Sequence, residues 1–401
     1  MKHEEDLVDR LTHFYRDVKL EVPASPPAWI APQRRSRPTW QPVLASAGLA
    51  VLALSLFFAV RVARDQANQI HVATSPSVKA STVPSASATP SPTPSPSPDA
   101  SWVVQRFPVG QVNTMLLDPS AVFAVTPTKI ARIDRSNAAV VTAGTQPNTS
   151  GIAGTTAGVW LAAGPTIAPA ASNNQWLTLV DSSTLAVNRQ LHLPGQPGSD
   201  MNAGPQLAGS SNLLWLGYGT NLFRLNPDTG DTLSSQKVAG TVTSLSLDPS
   251  GQHLYVGLGP SQTQPATVLE IDASTGSRLA SANTGGAGLG GPRVAASADG
   301  VWVSYATGTM GLIEHRSAGN LALLGNTIRT SNTVRAVVDA GALWIVDGMA
   351  QRLTCADPVS GATRASTAEI QPSTISADSG GAYLGDNTGV AALQPPAPCR
   401  G

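Results

Sequence analysis

The sequence is poor in charged and aromatic residues. Of its 401 residues only 12% are charged and 5% are aromatic, whereas 37 are glycine and 32 are proline. This composition favours many short strands joined by tight turns over long solvated helices. From Ser101 onward 15 basic residues stand against 17 acidic residues. That region lacks the positive field that nucleic-acid binding requires, so we expect no nucleic-acid partner.

Cysteine is almost absent. Cys355 and Cys399 are the only two cysteines of the chain, which is too few for a disulfide scaffold or for a four-cysteine zinc site. In an oxidising compartment, a bridge between them would tie the C-terminal tail to the sixth copy of the repeat described below. The alternative is a pair of buried free thiols.

Motifs that carry catalysis are missing as well. The chain has no phosphate-binding glycine loop that opens a helix, no nucleophile elbow and no metalloprotease helix. The glycine-rich stretch 285–291 falls between two predicted strands, which does not suit phosphate binding. His192, His253 and His315 fall at unrelated positions of the repeat, which argues against a zinc site. We therefore predict no catalytic residue, no metal and no cofactor.

One long hydrophobic run lies near the N-terminus. Residues 43–60 contain no charged side chain and reach the roughly 18 to 20 residues that a membrane-spanning helix needs. Arginines flank the run on both sides: Arg34, Arg35, Arg37, Arg61 and Arg64. We predict a single transmembrane helix over 43–62 that binds the lipid bilayer. A cleaved signal peptide is the alternative, but a long polar segment precedes the run and no small-residue cleavage site follows it closely.

The segments on either side of this run differ in character. In segment 1–42 four apolar residues recur at helical spacing: Leu7, Leu11, Phe14 and Val18. They predict a short amphipathic helix, with a frayed tail as the alternative. Segment 63–101 contains a Ser/Thr/Pro-rich tract that cannot bury a core, so it predicts a disordered, extended linker. Because such stalks are commonest outside the cell, we expect a cytoplasmic N-terminus and an extracytoplasmic C-terminal region at the cell membrane.

Beyond Ser101 one pattern recurs seven times. Each copy contains a small or acidic turn, an aromatic residue flanked by aliphatic residues, often a glycine, and then a second apolar strand with a polar turn. The aromatic residues are Phe123, Trp160, Trp215, Tyr255, Trp302, Trp344 and Tyr383. They stand 37 to 55 residues apart, the spacing of a four-stranded propeller blade. The pattern predicts an all-β, seven-bladed β-propeller over 102–401.

The seventh copy contains only three strands before a Pro-rich tail. A candidate for the missing outer strand is the segment 102–109, which precedes the first copy and is similar to the outer strands of the others. We predict that strands from both ends of this region complete one blade and close the ring. Closure would remove sheet edges that otherwise invite aggregation.

With these motifs, residues 102–401 resemble the broad group of bacterial seven-bladed propellers with YVTN-type or quinoprotein-like repeats. In that group an aromatic strand is followed by a strand that ends in Asp and by a Thr-Gly hairpin. The resemblance covers about three quarters of the chain and implies the fold rather than an activity. Its quinone-cofactor members usually carry a Trp after the hairpin, where this chain has Asp231, Ser277 and Ala362. The departure argues against a quinone cofactor.

Four residues are candidate ligand contacts. Arg293 and Arg335 occupy the predicted start of the inner strand in consecutive copies, and Asn113 and Thr243 hold nearly equivalent positions. Two guanidinium groups at the mouth of a central channel would suit a carboxylate or phosphate ligand. The alternative is that the arginines are solvated or paired with acids of their own copies, Asp299 and Asp339.

Together these observations favour a membrane-anchored, extracytoplasmic module that binds a protein or a small ligand and has a sensory role. The order of inner helix, single span and outer domain resembles that of membrane-bound anti-sigma regulators, which implies a cytoplasmic partner for segment 1–42. The His and Cys residues of their zinc-binding version are absent before residue 43. The alternative function is a propeller enzyme, a lyase or a hydrolase, that uses the channel mouth.

Overall fold

A computed structural model describes residues 102–399, with gaps at 166–174, 196–203, 262–263, 285–290, 309, 332–333, 340, 369–371, 379–380 and 395 and without the side chains of 335–339. The predicted amphipathic helix, the membrane span at 43–62 and the linker at 63–101 lie outside the described residues. Within them, no helix has the length and apolarity that crossing a bilayer demands.

The described residues form seven antiparallel sheets of four strands each, which confirms the all-β, seven-bladed prediction. We call the sheets blades and number them along the chain. In each blade the strands run outward as an inner strand, an aromatic strand, a third strand and an outer strand. Strand β1 (Val103–Phe107) is the exception in chain order, because it is the outer strand of blade 7.

The first three blades follow one another directly. Blade 1 contains β2 (Thr114–Leu117), β3 (Ala121–Val125), β4 (Lys129–Asp134) and β5 (Val140–Gly144). Blade 2 contains β6 (Thr149–Thr155), β7 (Gly158–Ala163), β8 (Trp176–Val180) and β9 (Val187–His192). Blade 3 contains β10 (Gln206–Ser210), β11 (Leu213–Tyr218), β12 (Asn221–Leu225) and β13 (Thr232–Lys237).

The remaining blades continue the same order. Blade 4 contains β14 (Val242–Leu247), β15 (His253–Leu258), β16 (Thr267–Asp272) and β17 (Arg278–Asn283). Blade 5 contains β18 (Arg293–Ala296), β19 (Gly300–Thr307), β20 (Met310–Ser317) and β21 (Leu323–Ser331). Blade 6 contains β22 (Val334–Asp339), β23 (Ala342–Asp347), β24 (Arg352–Ala356) and β25 (Thr363–Thr367). Blade 7 contains β26 (Thr374–Asp378), β27 (Gly381–Gly385), β28 (Val390–Leu393) and β1.

Strand β1 closes the ring as the sequence predicts. It pairs antiparallel with β28, with Arg106 opposite Ala391 and Phe107 opposite Val390. The Arg106 guanidinium also donates a hydrogen bond to the Asp386 carboxylate across 2.8 Å. The inner strands of successive blades contact one another around the whole ring, including β26 with β2. Seven inner strands therefore surround a central channel.

The aromatic strands form the packing layer between blades. Trp160, Trp215 and Trp302 are at most 2% exposed. After the aromatic residue the chain often has a glycine, and Gly217 and Gly257 show why. A Cβ at Gly217 would overlap the Val242 side chain, and one at Gly257 would overlap the Pro292 carbonyl. The glycine lets the inner strand of the next blade come close.

The turn between the third and outer strands, which we call the outer turn, needs one residue with positive φ. Gly230, Gly276 and Gly361 fill this position with φ of 74°, 80° and 71°, a region that costs glycine little. In the other blades with this hairpin the residue is Ala138, Leu185 or Leu321. The two leucines are 2% and 1% exposed, so burial of their side chains offsets the backbone strain.

Both ends of the propeller chain are fixed at the junction between blades 6 and 7. Cys355 of β24 and Cys399 of a short 3-10 helix (Ala397–Cys399) form a disulfide, with 5.9 Å between their Cα atoms. Trp102 precedes β1 and packs edge-on against Trp344 of blade 6, with 6.2 Å between ring centroids. All four side chains belong to one buried cluster.

Candidate functional site

The inner strands begin on one side of the ring, which we call the entry face. Arg293 is the first residue of β18, and its side chain is exposed there. The guanidinium has neither a hydrogen bond nor an ion pair with any residue that the structure describes. The surrounding protein desolvates the guanidinium and lowers its pKa. Exposure together with desolvation is what a side chain in a narrow, water-containing channel mouth experiences.

Asp299, one of the two acids considered as a partner for the arginines, does not pair with Arg293. It lies beyond the other end of β18, where its Oδ1 is 3.3 Å from His315 Nε2. Arg293 instead remains an unpaired cation within the described residues. The side chain of Arg335 and that of Asp339 are not described, and Arg335 is the second residue of β22. The two arginines hold matching positions in the inner strands of neighbouring blades, because each is paired with the residue two places after the aromatic one.

The structure places the two other candidate residues differently. Asn113 is exposed at the entry face, and its backbone N–H donates to the Val125 carbonyl (2.8 Å). Thr243 is only 5% exposed. Its hydroxyl donates to the Pro292 carbonyl across 2.7 Å, at the junction of blades 4 and 5. Thr243 is therefore used in blade packing and is not available to a ligand in the channel.

Hydroxyl groups of this kind link neighbouring blades at several junctions. Ser150 donates to Pro205 (2.9 Å), Ser304 to Val334 (3.2 Å) and Ser373 to Val112 (3.0 Å), each through a backbone carbonyl just before or at the start of the next inner strand. These bonds satisfy carbonyls that have no partner in their own sheet. Sequence reasoning missed them, although the recurrence of Ser or Thr at the start of an inner strand is a usable signal.

Blade 5 brings together the residue types of a nucleophilic triad. His315 Nε2 lies 3.4 Å from Ser297 Oγ and 3.3 Å from Asp299 Oδ1, and Ser297 donates to the same aspartate (2.9 Å). A working triad needs the serine on one ring nitrogen and the acid on the other, whereas here both lie at Nε2. The His315 ring also stacks on Trp302 with 4.3 Å between centroids. The cluster holds a turn in place and does not form a nucleophile.

The buried acids of blades 4 and 5 also have structural partners. Glu270 is fully buried and accepts hydrogen bonds from the Gly319 N–H of the next blade (2.8 and 2.9 Å). Glu314 accepts from the Tyr305 hydroxyl (2.7 Å) and from Arg316 Nε (3.0 Å). Nowhere in the described part of the chain do three His, Cys, Asp or Glu side chains gather in a way that would hold a metal ion.

A cleft of about 420 Å³ opens between blades 3 and 4. Among the described residues, its lining includes Lys237 of β13 and Arg278 of β17 and no Asp or Glu. Neither cation has an ion pair with a described residue. Gln236 is among the residues that line the cleft, and its Nε2, which is shielded from solvent, lacks a hydrogen-bond partner among the described residues. An unsatisfied buried amide costs about 1–3 kcal/mol.

The corresponding space between blades 1 and 2 is almost filled. Its volume is about 40 Å³. Strand pairing shows which residues correspond, because Ile271 pairs with Arg278 as Val180 pairs with Val187. In the same way Leu269 pairs with Ser281, where blade 2 has Thr178 opposite Gln190.

The larger cleft thus carries a cation where blade 2 has a valine, and a short serine where blade 2 has a glutamine. No sequence motif marks these residues. Lys237 is one of only five lysines in the chain, which is the nearest available signal.

No family model and no curated protein matches the chain. Solved structures do. Hydrazine synthase from Kuenenia stuttgartiensis matches with a TM-score of 0.56 at 10% identity, covering 74% of this chain and 99% of that one. The computationally designed Ika8 protein matches with a TM-score of 0.52 at 12% identity, covering 73% and 98%. BamB from Moraxella catarrhalis has a TM-score of 0.49 at 11% identity, covering 73% and 96%. At these identities the likeness to the first two shows the fold alone and nothing about activity.

Proposed function

We propose that the chain is a membrane-anchored, extracytoplasmic binding module with a sensory role, and that it takes an anionic ligand at the entry face of its propeller. The observation that carries the binding site is Arg293, an exposed and unpaired cation at the channel mouth within the described residues. A guanidinium that protein surroundings already desolvate gains more from a carboxylate or phosphate than one in open water. Arg335 would add a second guanidinium from the next blade.

The other polar side chains considered above make structural hydrogen bonds, which supports binding rather than catalysis. The Ser297, Asp299 and His315 cluster holds a turn, and Glu270 and Glu314 hold neighbouring backbone and side chains. A rigid closed ring with an unpaired cation at its mouth suits recognition of a ligand without turnover. For the alternative, a lyase or hydrolase, the described residues offer no acid or base that converges on Arg293.

The binding site is tested by titrating the purified full-length chain with citrate and with inorganic phosphate in a calorimeter. We expect saturable binding of at least one anion, and a loss of at least tenfold in affinity in Arg293→Gln. Arg352→Gln removes an exposed charge from blade 6 and serves as the matched control, with unchanged affinity. Equal affinities in the wild type and Arg293→Gln would overturn the anionic site.

The membrane orientation is tested with introduced cysteines. The two native cysteines are joined to each other, so the chain has no competing free thiol. Val359 is 82% exposed, and Val359→Cys should react with a membrane-impermeant maleimide on intact cells. Ser36→Cys, in segment 1–42, should react only after the membrane is permeabilised. The reverse pattern would overturn the orientation, and labelling of both on intact cells would overturn the span at 43–62.

The sensory role rests on the order of an N-terminal segment, one span and an outer binding domain in the sequence. We expect residues 1–37, attached to a bead, to capture a cytoplasmic protein from the parent organism. Deleting them should abolish any response of the cell to the ligand without changing ligand affinity. If the segment captured no partner and the cells responded normally after the deletion, the sensory role would be overturned. The proposal of a binding module would be unaffected.

A further inference from the structure

The outer strand of each blade leaves one free edge in the part of the chain that the structure describes, because only the third strand of its own blade pairs with it. A free edge can pair with a strand of another chain, and proteins usually protect it with a bulge or with a charged side chain. Six of the seven outer strands have both a register irregularity and a basic residue, and these are β1, β9, β13, β17, β21 and β25. The outer edges of these blades are thus poor sites for a further strand.

Strand β5, the outer strand of blade 1, has neither form of protection. It reads Val-Val-Thr-Ala-Gly from Val140 to Gly144, without a charge, and its register with β4 is regular throughout. Val140 is 43% exposed and Val141 is 39% exposed. Both valines and the threonine are β-branched, which suits an extended strand. Strand β5 is therefore the one unprotected outer edge among the described strands.

The backbone of β5 presents a symmetric set of free groups at this edge. The N–H of Thr145 donates to the Thr128 carbonyl across 3.1 Å, so the backbone groups of Thr145 face the third strand of the same blade. In an antiparallel pair these directions alternate from residue to residue. The N–H and C=O groups of Val140, Thr142 and Gly144 consequently face away from β4, and no described residue bonds to them. Thr142 lies at the centre of this set.

A second β5 strand fits this edge when it runs antiparallel about a twofold axis at Thr142. Thr142 then lies opposite the same residue of the second copy, and Val140 of either copy lies opposite Gly144 of the other. Each of these pairs can exchange two backbone hydrogen bonds, which gives about six in all. A Thr–Thr pair across strands is favourable, and no like charges meet. Two copies of any other outer strand would bring basic residues to the interface.

We propose that the full chain forms a twofold dimer in which the β5 strands of two copies join the sheets of their first blades. The free groups of the edge are their own complement, which favours a second copy over an unrelated strand, and twofold dimers are the commonest homo-oligomers. Only the five residues of β5 form the pairing in each copy, whereas a standard interface takes about 20 residues from each partner. The dimer is therefore weak and reversible.

Thr142→Cys tests the pairing directly in the purified full-length chain. Opposite residues of a hydrogen-bonded antiparallel pair have Cα atoms about 5.5 Å apart, which a disulfide spans. Cys355 and Cys399 are bonded to each other, so the introduced thiol is the only free one. We expect mild oxidation to give a covalent dimer on a non-reducing gel. Ser235→Cys, exposed on β13, is the matched control and should crosslink at least tenfold less.

Further substitutions at Thr142 separate the edge from the rest of the fold. Sedimentation of the purified full-length chain over a range of concentrations should show a reversible dimer. Thr142→Pro removes the central outward N–H without removing a hydrogen bond to β4, and Thr142→Lys would bring two like charges together. We expect each to weaken the dimer at least tenfold and to leave the melting temperature nearly unchanged. Thr142→Val keeps an uncharged, β-branched side chain and should dimerise as the wild type does.

Should Thr142→Pro fail to fold, Thr142→Lys carries the test, because β13 already has a lysine at its edge. A wild type that stays monomeric at every concentration, equal crosslinking of Ser235→Cys, or an undiminished dimer in Thr142→Lys would overturn the proposal. If Thr142→Cys formed a disulfide with a different protein in whole cells and gave no homodimer, a strand of that protein would replace the second copy.

Discussion

At the regular junctions of the ring, the outer turn of each blade packs on the aromatic residue of the preceding blade. Trp160 Nε1 donates to the Pro227 carbonyl (2.8 Å), and Trp215 Nε1 donates to the Ala273 carbonyl (3.1 Å). The junction of blades 6 and 7 differs, because β28 and β1 come from opposite ends of the propeller region and no outer turn joins them. There Trp344 contacts Trp102, and Cys355 is bonded to Cys399.

The difference shows that one structural role can be filled by different chemistry. At a regular junction, the outer turn joins the third and outer strands of one blade and also covers the aromatic residue of the preceding blade. Where the hairpin is missing, a Trp from the N-terminal side covers the aromatic residue, and a disulfide from the C-terminal side fixes the tail to blade 6. The closing junction therefore depends on both chain ends, while a regular junction depends on local sequence.

Removal of β1 should break this comparison most strongly. Deleting residues 102–109 from the full chain removes the buried side chains of Trp102 and Phe107 and exposes the edge of β28. We expect a loss of about 5 kcal/mol or more in the free energy of unfolding, together with self-association. Light scattering and thermal unfolding measure both. Deleting the eight linker residues 92–99 is the matched control, and a monomer of equal stability after the first deletion would contradict ring closure by β1.

Loss of the disulfide should have the next largest effect. Its cysteines are 44 residues apart in sequence, and in the chain-entropy account a loop of this size stabilises by about 4 kcal/mol. Cys399→Ser should lower the melting temperature, and a reductant should lower that of the wild type by a similar amount. The variant itself should not respond to the reductant. If the reductant left the melting temperature of the wild type unchanged, the disulfide would not stabilise the junction of blades 6 and 7 in place of the missing outer turn.

Regular junctions can be compared with one another through their tryptophans. Trp215 donates to Ala273, whereas Trp302 Nε1 is buried without a hydrogen-bond partner among the described residues. Both are almost fully buried, so Trp→Phe should create similar cavities. We expect Trp215→Phe to lower the free energy of unfolding by about 1 kcal/mol more than Trp302→Phe, because only the first leaves a buried carbonyl unsatisfied. Denaturant titrations measure the difference. Equal losses in the free energy of unfolding would show that the hydrogen bond from Trp215 to Ala273 does not stabilise the fold.

The smallest expected effect concerns acid. Hydrogen bonds from Ser136 and Ser274 lower the pKa of the turn residues Asp134 and Asp272 to about 2. A carboxyl whose folded pKa is depressed contributes stability above its unfolded pKa, and that contribution is lost as pH falls from about 4 to about 2. Blade 3 carries Asn226 in the matching place, where its side chain accepts the same turn hydrogen bonds.

The double variant Asp134→Asn and Asp272→Asn should therefore show a shallower loss of melting temperature between pH 4 and pH 2. Its stability at pH 7 should stay close to that of the wild type, because asparagine already performs this role in blade 3. An unchanged pH profile would mean that these turns do not contribute to acid sensitivity.

The fold could be predicted because its signals are local and repeated. The aromatic strand, the close-approach glycine and the positive-φ turn residue each depend on a few neighbouring residues. Closure by β1 was also predictable, since the seventh copy lacks a strand. The state of Cys355 and Cys399 could not be decided, because a buried thiol pair and a disulfide leave the same residues in the sequence.

The candidate site was less predictable. Arg293 and Thr243 look equivalent in sequence, yet β14 has an irregular register between Val242 and Ser244. The extra residue there leaves the normal alternation, so Thr243 faces the blade junction. The cleft between blades 3 and 4 depends on side-chain volume at facing positions of two blades, such as Ser281 against Gln190 at the matching junction. A pattern within one copy of the repeat does not contain that information.

Ring closure by β1 also sets a time order for the making of this protein. Arg106 and its partner Asp386 are 280 residues apart, so β1 is synthesised before every other described strand, and we expect it to dock last. Until β28 has been synthesised, β1 has no strand to pair with. In the same way, Cys355 cannot form its disulfide until Cys399 has been synthesised. Because blade 7 cannot be completed before both of its segments are present, we expect the docking of β1 on β28 to be the slow stage of folding and the one most exposed to aggregation.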